Sequence, residues 1–182
     1  LREYFFREGI DIKLVNIGVP GYRADLFPML ADEDLSTEKC DYALINYGVN
    51  DIGVWLYDKR KAVDDELIKR RNERIERYIS SIKKDIDILR SKGITPILSS
   101  PLVVNENLIE RTDIESIKDN NEKEDELDDG FYKKETFKRI KQGLKVMSDM
   151  VKSLAEKEGL DFWDLNGYSE EHVTAESFID DG

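Results

Sequence analysis

The stretch Tyr42-Ala-Leu-Ile-Asn-Tyr47 runs directly into Gly48-Val-Asn-Asp51. The first six residues predict a short buried β-strand that Gly48 ends. An asparagine at the mouth of a buried strand can point its amide N–H groups into a cleft and stabilise a developing oxyanion, so Asn50 is a candidate catalytic residue. Asp51 is predicted to hold the loop by accepting backbone N–H bonds, or to cap a following turn. A plain turn is the alternative interpretation of these four residues.

The chain around this stretch alternates short apolar segments with long amphipathic ones. Strands are predicted at residues 11–17, 42–47, 94–98 and 160–165, and helices at 25–30, 64–92 and 134–158. The two long helices are predicted because their apolar residues recur at spacings of three and four. Such alternation indicates a parallel sheet with helices on both faces, and ligands then bind at the carboxyl ends of the strands. We therefore predict a single α/β domain over residues 1–182.

Composition excludes several classes of protein. The 182 residues, 40% of them hydrophobic, suffice for one core. A net charge of -12 repels nucleic acid, so no DNA or RNA partner is predicted. No apolar run approaches the roughly 18 residues of a membrane span, so the chain is expected to be soluble. The single cysteine, Cys40, allows no internal disulfide and is interpreted as inert.

Two further motifs lie at the ends of predicted elements. Val15-Asn-Ile-Gly-Val-Pro-Gly-Tyr22 follows the first predicted strand. Glycine permits a positive φ and a close approach of ligand to backbone, so a turn here can aim the Gly21 N–H into a cleft. An ordinary strand-to-helix turn is the alternative. The stretch Phe178-Ile-Asp-Asp-Gly182 has the composition of an unfinished turn.

Taken in order, these motifs resemble the SGNH or GDSL-like family of esterases, lipases and acylhydrolases. Residues 16–21 resemble its glycine block, with Gly21 in the position of the oxyanion-hole glycine. Residues 48–51 resemble its Gly-x-Asn-Asp block, with Asn50 as the second oxyanion donor. Residues 178–182 resemble the start of its Asp-x-x-His block, with Asp181 as the aspartate. The resemblance implies a three-layer α/β/α, flavodoxin-like parallel sheet.

The resemblance also implies that the family pattern is truncated at both ends of this chain. The Gly-Asp-Ser nucleophile block and the first strand are expected before Leu1, and the catalytic histidine after Gly182. Without the serine and the histidine, the chain alone is expected to be inactive. The missing first strand would lie between residues 11–17 and 42–47, so the chain alone is also expected to aggregate or remain partly molten. Ser99 and Ser100 follow a strand but lack the nucleophile motif, and His172 is interpreted as an exposed loop residue.

For the intact parent, the resemblance implies a serine esterase that hydrolyses carboxylic esters without a metal or organic cofactor. The substrate is expected to be a small-molecule, carbohydrate or lipid ester. Trp55 and Tyr57 follow the Asn50 loop and are predicted to line the substrate pocket, with core packing as the alternative for both. The oligomeric state, the compartment and the particular ester stay open.

Two other readings compete with the esterase. One is an inactive SGNH-like domain that binds ligand without hydrolysing it. The other is an unrelated flavodoxin-like module, such as a phosphoacceptor or a nucleotide binder. The absence of Gly-x-Gly-x-x-Gly and P-loop motifs weakens the second. A polar stretch at residues 105–130, strongly acidic over residues 119–130, is predicted to be a solvated surface loop.

Overall fold

The computed structural model describes residues 6–35, 39–58, 60–102 and 129–172, and these contain a three-stranded parallel sheet. The strands are β1 (Tyr42–Ile45), β2 (Thr95–Ser99) and β3 (Asp161–Trp163), in the spatial order β1-β2-β3. Leu44 lies beside Ile97 in the first pairing, and Leu98 lies beside Phe162 in the second. These strands coincide with three of the four predicted from the sequence.

Three helices overlap the predicted positions, and a further one near the end of the described residues was not predicted. They are α1 (Phe27–Asp34), α2 (Asp65–Ser91), α3 (Asp129–Glu158) and α4 (Leu165–His172), with short 3-10 turns at Ala24–Leu26 and Val54–Leu56. Local signals fix the ends of α2. The Asp64 carboxylate accepts the Leu67 N–H at 2.7 Å, which caps the first turn. At the other end Gly93 adopts a φ of 74°, the left-handed conformation that stops a helix.

The hydrophobic core lies between the sheet and the long helices. Both α2 and α3 connect neighbouring parallel strands in the same direction, so right-handed crossovers place them on one face, where they contact each other and β2. The stripe predicted on α2 is buried at Ile75, Ile79, Ile82, Ile86 and Leu89. Ile68 is 43% exposed, whereas Leu67 beside it is 6% exposed, so at the start of the helix Leu67 and not Ile68 faces the core.

The strand predicted at residues 11–17 is wrong. Residues 10–19 have no regular secondary structure, and Leu14, Val15 and Ile17 are between 42% and 52% exposed. The prediction rested on apolar content alone, whereas a strand also needs a neighbour for its backbone hydrogen bonds. In the predicted sheet order this segment is not adjacent to β1, β2 or β3, so none of them supplies those bonds.

The structure corrects a second expectation at the carboxyl end. His172 is the last residue of α4 and does not lie in a loop. The loop predicted at 105–130 falls mostly outside the described residues, apart from residues 129 and 130, which begin α3. Asp181 and the rest of residues 178–182 also lie outside them. Over the described ranges, no helix combines the length and hydrophobicity needed to cross a bilayer.

Candidate active site

A tight turn presents Gly21. The Tyr22 N–H donates to the Val19 carbonyl at 3.2 Å, and Gly21 adopts a φ of 80°. Proline in the second position of a four-residue turn, with glycine at positive φ in the third, is typical of a type II turn. A Cβ added at Gly21 would meet nothing within 4 Å, so the positive φ, and not a lack of space, is what requires glycine here. The Gly21 N–H takes no part in the bond that closes the turn.

Asn50 contacts this turn. Its Nδ2 donates to the Tyr22 carbonyl at 3.1 Å, across 28 residues of sequence. A carboxamide nitrogen carries two N–H groups, so one of them remains available for a ligand. The structure therefore brings the side chain of Asn50 against the residue that directly follows Gly21.

Asp51 fastens the two segments together. Its Oδ1 accepts the Ala24 N–H at 3.0 Å, and its Oδ2 accepts the Gly48 N–H at 3.0 Å. The predicted backbone-holding role of Asp51 is confirmed. Burial raises the pKa of this carboxyl to about 6, although the two N–H bonds act in the opposite direction. One side chain thus ties the start of the Asn50 loop to the segment after Gly21.

The same loop is fixed from below by close packing. Gly48 adopts a φ of 129°, and a Cβ added there would lie 2.5 Å from Pro101 Cγ. The Tyr78 hydroxyl of α2 donates to the Tyr47 carbonyl at 3.2 Å. Burial raises the pKa of Tyr78, so this hydroxyl stays protonated and keeps donating. Backbone and side-chain contacts therefore leave the base of the loop little freedom.

Ser99 and Ser100 have structural partners at the end of β2. The Asn46 amide donates to Ser99 Oγ at 2.7 Å. Ser100 Oγ donates to Asp164 Oδ1 at 3.2 Å and accepts the Asn166 N–H at 2.7 Å, which joins β2 to the start of α4. At 1% and 0% exposure neither hydroxyl faces solvent, in keeping with the sequence argument against either serine as the nucleophile.

The two aromatic residues after the Asn50 loop have different environments. Tyr57 is 4% exposed and belongs to the hydrophobic core, with the Arg71 guanidinium 4.3 Å from its ring centre. Trp55 is 50% exposed, and the Arg74 guanidinium lies 4.6 Å from its ring centre. Only Trp55 keeps a surface that can meet a ligand.

Asp85 is a residue whose burial the sequence reasoning missed. It is 0% exposed, and neither carboxyl oxygen has a hydrogen-bond partner in the described part of the chain. Burial, with the nearby Asp51 charge as a smaller cause, raises its pKa to about 8. The signal was present, because Asp85 follows Ile82 by three residues and precedes Leu89 by four, which puts it on the apolar stripe of α2.

Chemically, the described site offers hydrogen-bond donors. Within the described ranges, no group of three or more His, Cys, Asp and Glu side chains is placed to hold a metal ion. What converges at the carboxyl end of β1 is a glycine turn, a carboxamide and a carboxylate that fixes their backbone. This is the kind of preorganised donor set that stabilises negative charge developing on oxygen.

Known crystal structures share this architecture. An acetyl xylan esterase aligns with a TM-score of 0.57 and 16% identity, covering 93% of this chain and 70% of its own. A GDSL-like lipase from Bacteroides thetaiotaomicron VPI-5482 aligns with a TM-score of 0.50 and 16% identity, covering 96% of this chain and 63% of its own. The chain has the fold of a GDSL-like hydrolase. The fold class predicted from the sequence is confirmed.

The sequence itself gives no such match. No protein-family profile matches the chain, and no curated protein sequence does so either. The likeness therefore concerns the path of the backbone, and this chain spans about two thirds of the length of the lipase, 63%. The roles of Gly21, Asn50 and Trp55 therefore depend on the chemistry of the site, and the role of Asp181 depends on the sequence resemblance alone.

Proposed function

We propose that the protein hydrolyses carboxylic esters by a serine esterase mechanism, with Gly21 and Asn50 as oxyanion donors. One observation carries the proposal. The Asn50 amide lies 3.1 Å from the carbonyl of Tyr22, the residue after Gly21, at the edge of the sheet where α/β proteins bind ligands. The GDSL-like fold supports the reaction class.

The chemistry follows from where charge develops. When a nucleophilic oxygen attacks an ester carbonyl, the carbonyl oxygen becomes an oxyanion that needs donors already in position. In this mechanism the second N–H of the Asn50 amide and the backbone N–H of Gly21 are these donors. Asp51 acts as a positioning residue, because its two hydrogen bonds set the distance between the segments that carry those donors.

The mechanism also needs a serine nucleophile, a histidine base and a carboxylate that orients the histidine. From the sequence resemblance, we propose Asp181 as this carboxylate and expect the serine and the histidine outside residues 1–182. The test therefore uses the full-length protein.

An acetylated carbohydrate is the substrate class we favour. Trp55 is 50% exposed and follows the Asn50 loop, so it offers a flat apolar surface of the kind that sugar rings stack on. One structural neighbour is an acetyl xylan esterase, which fits this choice.

The experiment is hydrolysis of p-nitrophenyl acetate by the full-length protein. Asn50→Ala removes one oxyanion donor and is expected to lower kcat by about 10²–10³. Asn72→Ala makes the same chemical change at an exposed position of α2 and is the matched control. Equal activity of the two variants would remove Asn50 from the mechanism. A folded protein with no hydrolysis at all would favour the inactive binding domain instead.

A further inference from the structure

Helix α2 extends beyond the sheet and forms a wall beside the candidate site. Tyr78 marks the level of the sheet edge, because its hydroxyl bonds the Tyr47 carbonyl just after β1. Arg74 lies four residues earlier, which at about 1.5 Å per residue puts it roughly 6 Å further out along the helix. Arg74 stacks on Trp55 there. The chain after Asn50 therefore runs along this helix, and Trp55 lies at the rim of the candidate site, above the Asn50 loop.

The Trp55–Arg74 pair is closely packed at its base. Gly53 adopts a φ of 70°, and a Cβ added there would lie 3.3 Å from Arg74 Nε and 3.4 Å from Trp55 Cζ2. Glycine thus allows the backbone to pass directly beneath both side chains. The guanidinium covers one face of the indole ring, yet half of the tryptophan, 50%, stays exposed.

Arg74 also differs from two nearby arginines in the hydrogen-bond partners of its guanidinium. Arg71 donates to the Leu56 carbonyl at 2.7 Å and 3.0 Å, and Arg23 pairs with Asp25 at 3.0 Å. Among the described residues no carboxylate pairs with Arg74, and, unlike Arg71, its guanidinium donates to no neighbouring carbonyl there. A guanidinium stacked on a ring keeps its in-plane N–H groups free, and these match a carboxylate in bidentate geometry.

We infer that Trp55 and Arg74 form a subsite for a uronic acid unit of the carbohydrate, a sugar ring that carries a carboxylate. The indole stacks on the apolar face of the ring, and the guanidinium pairs with the carboxylate. This inference rests on the proposed function, since it names the alcohol part of the ester. The subsite lies about one helical turn above the Asn50 loop, so it holds a sugar beside the acylated position.

The charge of the whole protein bears on this choice. A net charge of -12 repels an anionic polymer at long range, so the subsite must act through short-range contacts on a short oligosaccharide. Raising the ionic strength is then expected to weaken the repulsion more than the bidentate contact. This separates the subsite from a diffuse basic patch, whose affinity only falls with salt.

The test is calorimetric titration of the full-length protein with trigalacturonate and with neutral trigalactose, neither of which carries an ester. Trigalacturonate is expected to bind at least about tenfold more tightly, because a charge-assisted pair contributes more than a neutral hydrogen bond. Arg74→Gln is expected to remove that preference and leave trigalactose binding unchanged. Trp55→Ala is expected to weaken both sugars. Lys83→Gln removes one exposed positive charge on the same helix and is the control.

Each outcome of these titrations either supports or overturns the uronic acid subsite. Equal binding of the two sugars, no binding of either, or the same loss of preference in Lys83→Gln would overturn the subsite. Arg74→Lys, which keeps the charge and loses the planar fork, is expected to restore only part of the preference. Hydrolysis of p-nitrophenyl acetate without uronate binding refutes the subsite alone. Uronate binding without any ester hydrolysis refutes the proposed function and leaves a carbohydrate-binding site.

Discussion

Replacing Asp85 with asparagine is expected to stabilise the protein, and to do so more strongly as the pH rises. The side chain is 0% exposed, and its carboxyl oxygens lack partners among the described residues. Burial raises its pKa from 3.8 to about 8. Between these values the folded state keeps a proton that the unfolded state has lost.

The sign and the size of this stability change follow from the linkage between proton binding and folding. A folded state that binds the additional proton loses stability as the pH rises, by about 1.4 kcal/mol per pH unit for one group. The loss begins near the ordinary pKa of 3.8 and ends near 8. At pH 7 the loss amounts to about 4 kcal/mol. Asparagine has no proton to lose in either state, so Asp85→Asn removes this loss.

The assay is urea unfolding of the full-length protein and its variants between about pH 5 and pH 7. The stability advantage of Asp85→Asn is expected to grow by about 3 kcal/mol across that interval. Asp87→Asn, at an exposed position of the same helix, should show no such growth. Parallel pH profiles for the Asp85→Asn variant and the unmodified protein would mean that the buried carboxyl is ionised in the folded state, and the reasoning would be wrong.

Two further predictions concern the loop that carries Asn50. Gly48→Ala is expected to destabilise by at least about 2 kcal/mol in urea unfolding, because the added Cβ meets Pro101 at a positive φ. Gly159→Ala, whose Cβ would meet nothing within 4 Å, should lower the free energy of unfolding by less. Asp51→Asn leaves a buried backbone N–H facing an amide N–H₂, so the free energy of unfolding should fall by about 1–3 kcal/mol. The same substitution should lower kcat for p-nitrophenyl acetate, whereas Asp25→Asn should change kcat little. Unchanged kcat in Asp51→Asn would show that the carboxylate does not position Asn50.

The long helices were predictable because their signals are local. Asp64 supplies a side-chain cap, Gly93 supplies the left-handed stop, and the apolar stripe between them needs no knowledge of the partner. The segment at residues 11–17 lacked such independence. Its apolar residues fit a strand, but whether they form one depends on which strand lies alongside, and single-sequence patterns carry no information about that neighbour.

The site was predictable only in part for a similar reason. The Gly-x-Asn-Asp motif located the loop and suggested the role of Asp51, since both depend on residues close in sequence. Trp55 and Tyr57 looked equivalent, yet the 3-10 turn Val54–Leu56 exposes the first and buries the second. Arg74 is one of several arginines on α2, and only the tertiary structure shows which of them stacks on Trp55.

Helix α2 connects the candidate site with the buried Asp85. Tyr78, Arg74 and Asp85 all lie on α2, where the first supports the Asn50 loop, the second forms its rim, and the third buries a carboxyl group without a hydrogen-bond partner among the described residues. Asp85 follows Tyr78 by seven residues, so both share one face about two turns apart. The destabilisation at Asp85 therefore falls on the element that positions the loop. Because apolar packing at Ile82, Ile86 and Leu89 holds that face in place, the helix can carry this loss and still fix the loop above it.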